Sequence, residues 1–302
     1  MKTLLKKRYT EESIGESWEI SAVEGFETRV AEGPEKGMTL RQLIDLHRGD
    51  LVGKKVFERF GDEFPLLIKY IDAARPLSVQ VHPGDELARK RHNSFGKNEM
   101  WYVMEADEDA ELIIGFKRKL DESEYEGLLA RNEIMKVMNA QKVRPGDTFY
   151  IPTGRVHAIG AGVLLAEIQQ TSDVTYRIYD YDRVDAKTGK KRELHTEEAK
   201  SAIDYSVRDT YDTIYEENIN RPNVLVHSPY FKTDLLIVEG EMKLDYSEQD
   251  SFVIYMCVEG SATLQVEGAE YPMDLGETLL IPASVDEVIL RSLGCRILEV
   301  SM

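Results

Sequence analysis

Apolar positions recur at two spacings along this chain, and the strand spacing dominates. Helical spacing is confined to a few places. Over residues 38–49, Leu40, Leu43, Ile44 and His47 fall on one face, with Thr39 placed to cap the first turn. Residues 121–140 carry two short helical patterns. Another runs over 196–204, with Thr196 as a candidate cap and Glu197 and Glu198 in its first turn. Elsewhere, short apolar runs between Gly, Pro and Asp predict strands over 66–72, 77–81, 100–104, 111–116, 148–151 and 163–169. From about residue 222 the pattern is almost purely strand and turn, with runs at 234–238, 251–258, 261–266, 278–281 and 287–290. The polar stretch 206–222 reads as a linker. So many short strands predict a closed or double-sheet antiparallel β fold.

One stretch repeats. Gly146-Asp-Thr-Phe-Tyr-Ile-Pro152 is followed by His157, and Gly276-Glu-Thr-Leu-Leu-Ile-Pro282 is followed, at the same distance, by Glu287. Both lie in strand-rich context, which predicts two related β-barrels, the first decorated with helices and the second bare. The expected division is residues 1–215 and 216–302. Each copy ends on a possible ligand, His157 in the first and Glu287 in the second, but the second barrel otherwise offers only His227, outside the motif, so no metal is expected there and a structural or dimerising role is.

Composition narrows the function classes. The chain has 302 residues, 42% of them hydrophobic, enough for a substantial core. Its net charge is −17, with the C-terminal part the most acidic, and a field of that sign repels nucleic-acid backbones and anionic lipid. Any anionic substrate must therefore be received by a local basic pocket. Two cysteines are too few for a disulfide framework, and the basic start Met1–Arg8 has no apolar stretch of signal-peptide length. No apolar run is long enough to span a membrane. The expectation is a cytoplasmic protein, monomeric or homodimeric, with no nucleic-acid or membrane partner.

Two of the six histidines stand out by context. In Leu77-Ser-Val-Gln80-Val-His82-Pro83, strand alternation puts Gln80 and His82 on one face and Val79 and Val81 on the other. Glu99 begins another strand, and His157 closes the pattern Gly-x5-Pro-x-Gly-x2-His. That pattern resembles the second conserved motif of the cupin superfamily, small jelly-roll barrels that hold one metal on their inner face. The resemblance implies a mainly β fold of two cupin barrels with a helical insertion on the first, and His157 pointing inward opposite Gln80, His82 and Glu99. Two imidazoles, a carboxylate and an amide oxygen make a mixed set that suits Zn²⁺ with one position open; iron(II) and manganese would also fit.

Longer motifs narrow the resemblance. Gly15-Glu16-Ser17-Trp18-Glu19-Ile20-Ser21, Gln80-Val-His82-Pro83, Lys97-Asn-Glu99-Met-Trp101-Tyr102 and the run from Glu167 to Arg183 resemble the short bacterial and archaeal branch of the type I mannose-6-phosphate isomerases. The strong motifs cover roughly residues 10–200. The resemblance implies one zinc per chain held by Gln80, His82, Glu99 and His157, a catalytic arginine at Arg177 and an active-site lysine at Lys97. It places Lys69 and Ser78 toward the substrate phosphate, and Glu16 and Trp18 in the sugar pocket.

The residue types suit the implied chemistry. Exchanging an aldose for a ketose moves a proton between C1 and C2 through an enediol, whose developing oxyanion a Lewis-acidic metal can stabilise. Arg177 adds a permanent charge with a fork shaped for oxyanions. A lysine buried beside a metal and an arginine is expected to have a lowered pKa and to serve in acid–base transfer. Glu16, Lys97 and a metal-bound water all remain candidates for the C1–C2 proton. Two rivals from other classes are an iron-dependent bicupin dioxygenase and a non-catalytic sugar-binding cupin. The first would show His-x-His where this chain has Gln80-Val-His82, and the second needs neither Arg177 nor Lys97.

Overall fold

The computed structural model describes residues 1, 4–7, 14–185 and 188–302, so part of the basic stretch 1–8 lies outside the described residues. In chain order the strands of the first half are β1 Glu16–Ile20, β2 Leu66–Ala73, β3 Val79–Val81, β4 Glu99–Ala106, β5 Glu111–Phe116, β6 Met138–Lys142, β7 Thr148–Ile151, β8 His157–Ile159, β9 Val163–Gln170 and β10 Tyr176–Tyr179. Those of the second half are β11 Pro222–His227, β12 Lys232–Asp245, β13 Val253–Val266, β14 Ala269–Asp274, β15 Thr278–Ile281 and β16 Glu287–Ser301. Among the described residues six short helices interrupt them: α1 Leu40–His47, α2 Gly49–Val52, α3 Lys54–Phe60, α4 Asp85–His92, α5 Glu122–Ala130 and α6 Thr196–Lys200. The fold is mainly β with few helices, and among the described residues no helix is long and apolar enough to cross a membrane.

The chain forms two compact units, Met1–Tyr70 with Thr213–Met302, and Ile71–Asp212. In the first unit, β11, β12, β16, β13 and β14 lie side by side, with β15 also on β13. Their inward residues, among them Leu236, Tyr255, Leu264, Leu290 and Ile297, make one buried cluster. Both cysteines are buried there as free thiols, and burial pushes Cys257 up to about 12. In the second unit, one sheet holds β9, β4 and β7, and another runs β10-β3-β8-β5-β6. Alternation along β5 divides two cores. Leu112 and Ile114 pack with Trp101, Phe149 and Leu165, while Ile113 joins Val79, Val81, Tyr125, Tyr176 and Ile178.

Most of the expected elements form, and the departures have local causes. Thr39 caps α1 through a full capping box with Gln42. The runs 251–258 and 261–266 are one strand, β13, whose pairing with β16 slips at Cys257/Glu259 and Gly260/Thr263. Gly260 has φ +73°, and a Cβ there would lie 2.3 Å from the Gly294 carbonyl, so the break is a bulge rather than a turn. Over 121–140, α5 starts on Asp121, whose Oδ1 accepts from the Glu124 N–H, but only a single 3₁₀ turn (Ile134–Val137) follows before β6 begins at Met138. Thr196 is not the cap of α6: His195 occupies that position, and Thr196 is the first helical residue. α4 escaped the periodicity reading because DELARKRH has too few apolar residues to show a stripe. Acids in its first turn and bases in its last match the helix dipole instead.

Candidate active site and metal centre

Both sheets of the second unit contribute to one buried cluster. β3 lies between β10 and β8, so Arg177, Gln80 and His157 form a row across neighbouring strands. His82 directly follows β3, and Glu99 opens β4 in the other sheet. The loop that delivers His157 depends on glycine. Gly146 and Gly154 have φ +93° and +86°, and Gly276 repeats the first at +84° in the echoed stretch. A Cβ on Gly154 would also lie 2.9 Å from the Ala202 carbonyl.

His82, Glu99 and His157 are all buried, with ligand atoms within 4.8 Å of one another. His157 Nε2 lies 3.2 Å from Glu99 Oε1, and His82 Nε2 lies 3.5 Å from Glu99 Oε2. The Gln80 amide reaches 3.3 Å from His157 Nε2, and turning the amide over presents its oxygen to the same point. Four ligands about 2.1 Å from a tetrahedral zinc sit roughly 3.4 Å apart, so this spacing is that of a coordination shell.

The tautomers agree. His82 Nδ1 donates to the Val174 carbonyl at 2.9 Å, and His157 Nδ1 donates to the Arg155 carbonyl at 2.8 Å. A carbonyl can only accept, so each ring keeps its Nε2 lone pair for a cation. Burial, reinforced by Lys97 and only partly countered by the Arg155 bond, lowers His157 to about 4, so protons do not compete for it near neutrality. The set fits a divalent metal.

Lys97 is also buried here, with Nζ 2.9 Å from Glu99 Oε2 and 3.3 Å from His82 Nε2. Between them, Asn98 locks the strand entry. Its Nδ2 donates to Gln170 Oε1 at 2.7 Å, and its Oδ1 accepts from Tyr150 Oη at 3.2 Å and the Thr153 N–H at 3.1 Å. Glu167, on the all-buried strand β9, accepts from Trp101 Nε1 at 2.9 Å, and the Trp101 ring stands edge-on to His157 at 5.3 Å. Sequence reasoning passed over Asn98 and gave Glu167 no role. A carboxylate within VLLAEIQQ was the available signal, because buried charge demands a partner.

Arg177 faces away from Tyr176 and Ile178, which are buried in the core, as alternation requires. Its Nη1 donates to the Glu193 carbonyl at 2.8 Å, while Nε is buried with no hydrogen-bond partner among the described residues. Asp180 is not its ion-pair partner, because Arg183 and Arg192 both take that carboxylate at 2.5 Å. Burial, and then Arg192, lower the Arg177 pKa. Around Arg177 the neighbouring charges are Arg183 and Arg192 against Asp180 and Glu193, so with its own guanidinium this spot holds three positive charges to two negative.

Ser78 is buried just ahead of β3. The remaining expected residues group in the first unit. Lys69 Nζ lies 3.7 Å from Glu16 Oε2 and 4.9 Å from the Trp18 ring centre, and Trp18 Nε1 donates to the same Glu16 oxygen at 2.9 Å. Glu287, which takes the place of His157 in the echo, is exposed and pairs with Lys243 at 2.5 Å.

Comparison with known proteins bears on this arrangement. Residues 6–125 match the model of the type I phosphomannose isomerase catalytic domain, and 223–301 match the mannose-6-phosphate isomerase cupin domain. Mannose-6-phosphate isomerase ManA of Bacillus subtilis is 38% identical over 280 residues, covering 92% of this chain and 86% of that protein. The crystal structure of a B. subtilis mannose 6-phosphate isomerase superposes with a TM-score of 0.88 at 34% identity, covering 100% of this chain and 93% of the other. A zinc-bound mannose 6-phosphate isomerase shares the fold at a TM-score of 0.75 and 18% identity, covering 95% of this chain and 90% of that one. The chain belongs to the type I mannose-6-phosphate isomerase family.

Proposed function

We propose that the chain interconverts mannose 6-phosphate and fructose 6-phosphate through an enediol, with one zinc ion per chain held by Gln80, His82, Glu99 and His157. The observation that carries this reading is the ligand spacing, with both Nε2 lone pairs turned toward one point. The zinc-bound relative supports the choice of metal. Bound there, zinc would supply Lewis-acid stabilisation of the charge that develops on the sugar oxygens.

The rest falls to the chain's own residues. The reaction exchanges no electrons with a cofactor: a proton leaves C2, one arrives at C1, and the two oxygens trade carbonyl and hydroxyl character. Lys97 Nζ, a donor already beside Glu99 and His82, is assigned to protonate the C1 carbonyl oxygen and to take back a proton from the C2 hydroxyl as that becomes the new carbonyl, so that it ends each turnover as it began. Arg177 is assigned to the oxyanion, with a buried Nε that has no partner among the described residues to give up. The arginine excess at Asp180 suits an anionic substrate in a chain of charge −17. Lys69 and Ser78 are assigned to the phosphate, and Glu16 and Trp18 to the sugar.

The proposed scaffold is two cupin barrels, with catalysis in residues 1–215 and a metal-free domain in 216–302. The setting is the cytoplasm, as a monomer or homodimer. The test is metal analysis of the purified protein coupled to an assay for fructose 6-phosphate made from mannose 6-phosphate. One zinc per chain, with activity lost to a chelator and restored by zinc, is the expected result. Full turnover by metal-stripped protein would refute the metal's role, and no product from the zinc-loaded protein would refute the substrate.

A further inference from the structure

Arg177 sits on β10, the edge strand of its sheet, so among the described residues one side of that strand has no neighbouring strand to satisfy it. The residue pairs with Gln80 on β3, yet both of its backbone groups turn the other way. Its N–H donates to His195 Nδ1 at 3.2 Å, and its carbonyl accepts from the His195 N–H at 2.7 Å. In an antiparallel pair both polar groups of a residue point to the same side, so Arg177 and Gln80 form a non-hydrogen-bonded pair. His195 therefore stands in for the missing strand at this one residue, using a side chain where a strand would use a carbonyl.

The same segment also holds the side chain, because the Glu193 carbonyl accepts from Arg177 Nη1 at 2.8 Å. Residues 193–195 thus grip Arg177 at both ends, and just beyond Arg177 the β10–β3 register slips, which leaves that part of the strand without a regular ladder. A backbone amide has only a proton to give. His195 Nδ1 must then carry a lone pair, and the neutral ring must carry its proton on Nε2.

We infer that His195 is a positioning residue: its Nδ1 lone pair fixes the β10 backbone so that the Arg177 guanidinium is aimed, and it acts on the reaction only through Arg177. The inference rests on the catalytic assignment of Arg177 made above. Misaiming a charge whose value lies in its placement costs rate rather than substrate affinity.

The test uses the zinc-loaded enzyme and separates kcat from KM. His195→Ala removes the acceptor and should lower kcat about tenfold or more, with KM and zinc content close to wild type. In His195→Asn, Oδ1 sits where Nδ1 was, so this variant should recover most of the rate. His195→Gln moves the acceptor one bond outward and should not; this pair keeps the test decisive if His195→Ala fails to fold. With Arg177→Ala, which leaves the backbone amide but no guanidinium to aim, adding His195→Ala should cost little more.

If Arg177→Ala itself leaves kcat unchanged, the catalytic reading of Arg177 falls and the positioning role falls with it. If Arg177→Ala is slow but His195→Ala keeps the wild-type kcat, the positioning role alone is wrong. It is equally overturned if His195→Asn is as slow as His195→Ala, or if His195→Ala costs as much without the Arg177 side chain as with it.

Discussion

Replacing His157 by Ala tests the metal centre where the structure is most specific. The imidazole is fully buried, 3.2 Å from Glu99 Oε1 and 3.3 Å from the Gln80 amide, and its Nδ1 is held by the Arg155 carbonyl. Four-ligand zinc sites bind with about 10–16 kcal/mol, so one ligand accounts for roughly 3 kcal/mol, or about 10²-fold in affinity. Zinc binding measured by competition with a chromogenic chelator should weaken by at least that factor. Turnover should fall by orders of magnitude, while the β signature in circular dichroism persists, because Glu99 keeps Lys97 as a partner. A second readout comes from pH. His157 is depressed to about 4 when folded, against about 6.5 when unfolded, so between those values only the unfolded chain takes up the proton. Metal-free wild-type protein should therefore lose up to roughly 3 kcal/mol of stability as pH falls from 6.5 to 4, and His157→Ala should lack that component. Wild-type zinc affinity in the variant, or an unchanged acid profile, would refute the placement of this residue.

Three further outcomes are expected. Asn98→Ala strands partners on Gln170, Tyr150 and Thr153, so it should cost about 2–4 kcal/mol in urea denaturation and lower zinc affinity by displacing Lys97 and Glu99; a change under 0.5 kcal/mol would contradict this. Glu299 accepts from Tyr246, and burial raises it to about 7; its folded pKa lies above the unfolded one, so its stabilising effect is present below about 4.5 and fades as pH rises through 7. Glu299→Gln keeps an acceptor for Tyr246 and should flatten that slope, gaining up to roughly 3 kcal/mol over wild type at pH 8, and parallel profiles would disprove it. Glu287→Gln breaks only the exposed pair with Lys243, so zinc stoichiometry and turnover should stay as they are and stability should move by less than about 0.5 kcal/mol; loss of a metal ion would overturn this.

What the sequence determined by itself was local. Alternation placed Gln80 and His82 together, and Arg177 opposite Tyr176 and Ile178, because strand geometry leaves no other choice at a period of two. The Thr39 cap was legible from its place just before the first apolar position of the helix, and the Gly146–His157 stretch from its repeat at 276–287. The longer motifs carried the family, and with it His82, Glu99 and His157. Tertiary structure alone decided how distant segments serve one another. Residues 1–70 join 213–302 in one compact unit, although the sequence separates them by a whole domain's length. Asn98 ties together three segments, Arg183 and Arg192 rather than Arg177 claim Asp180, and His195 closes a strand edge that no pattern marked as open. Periodicity reports which face of an element is buried. It does not report which neighbour arrives there, because that depends on packing between parts of the chain far apart in sequence.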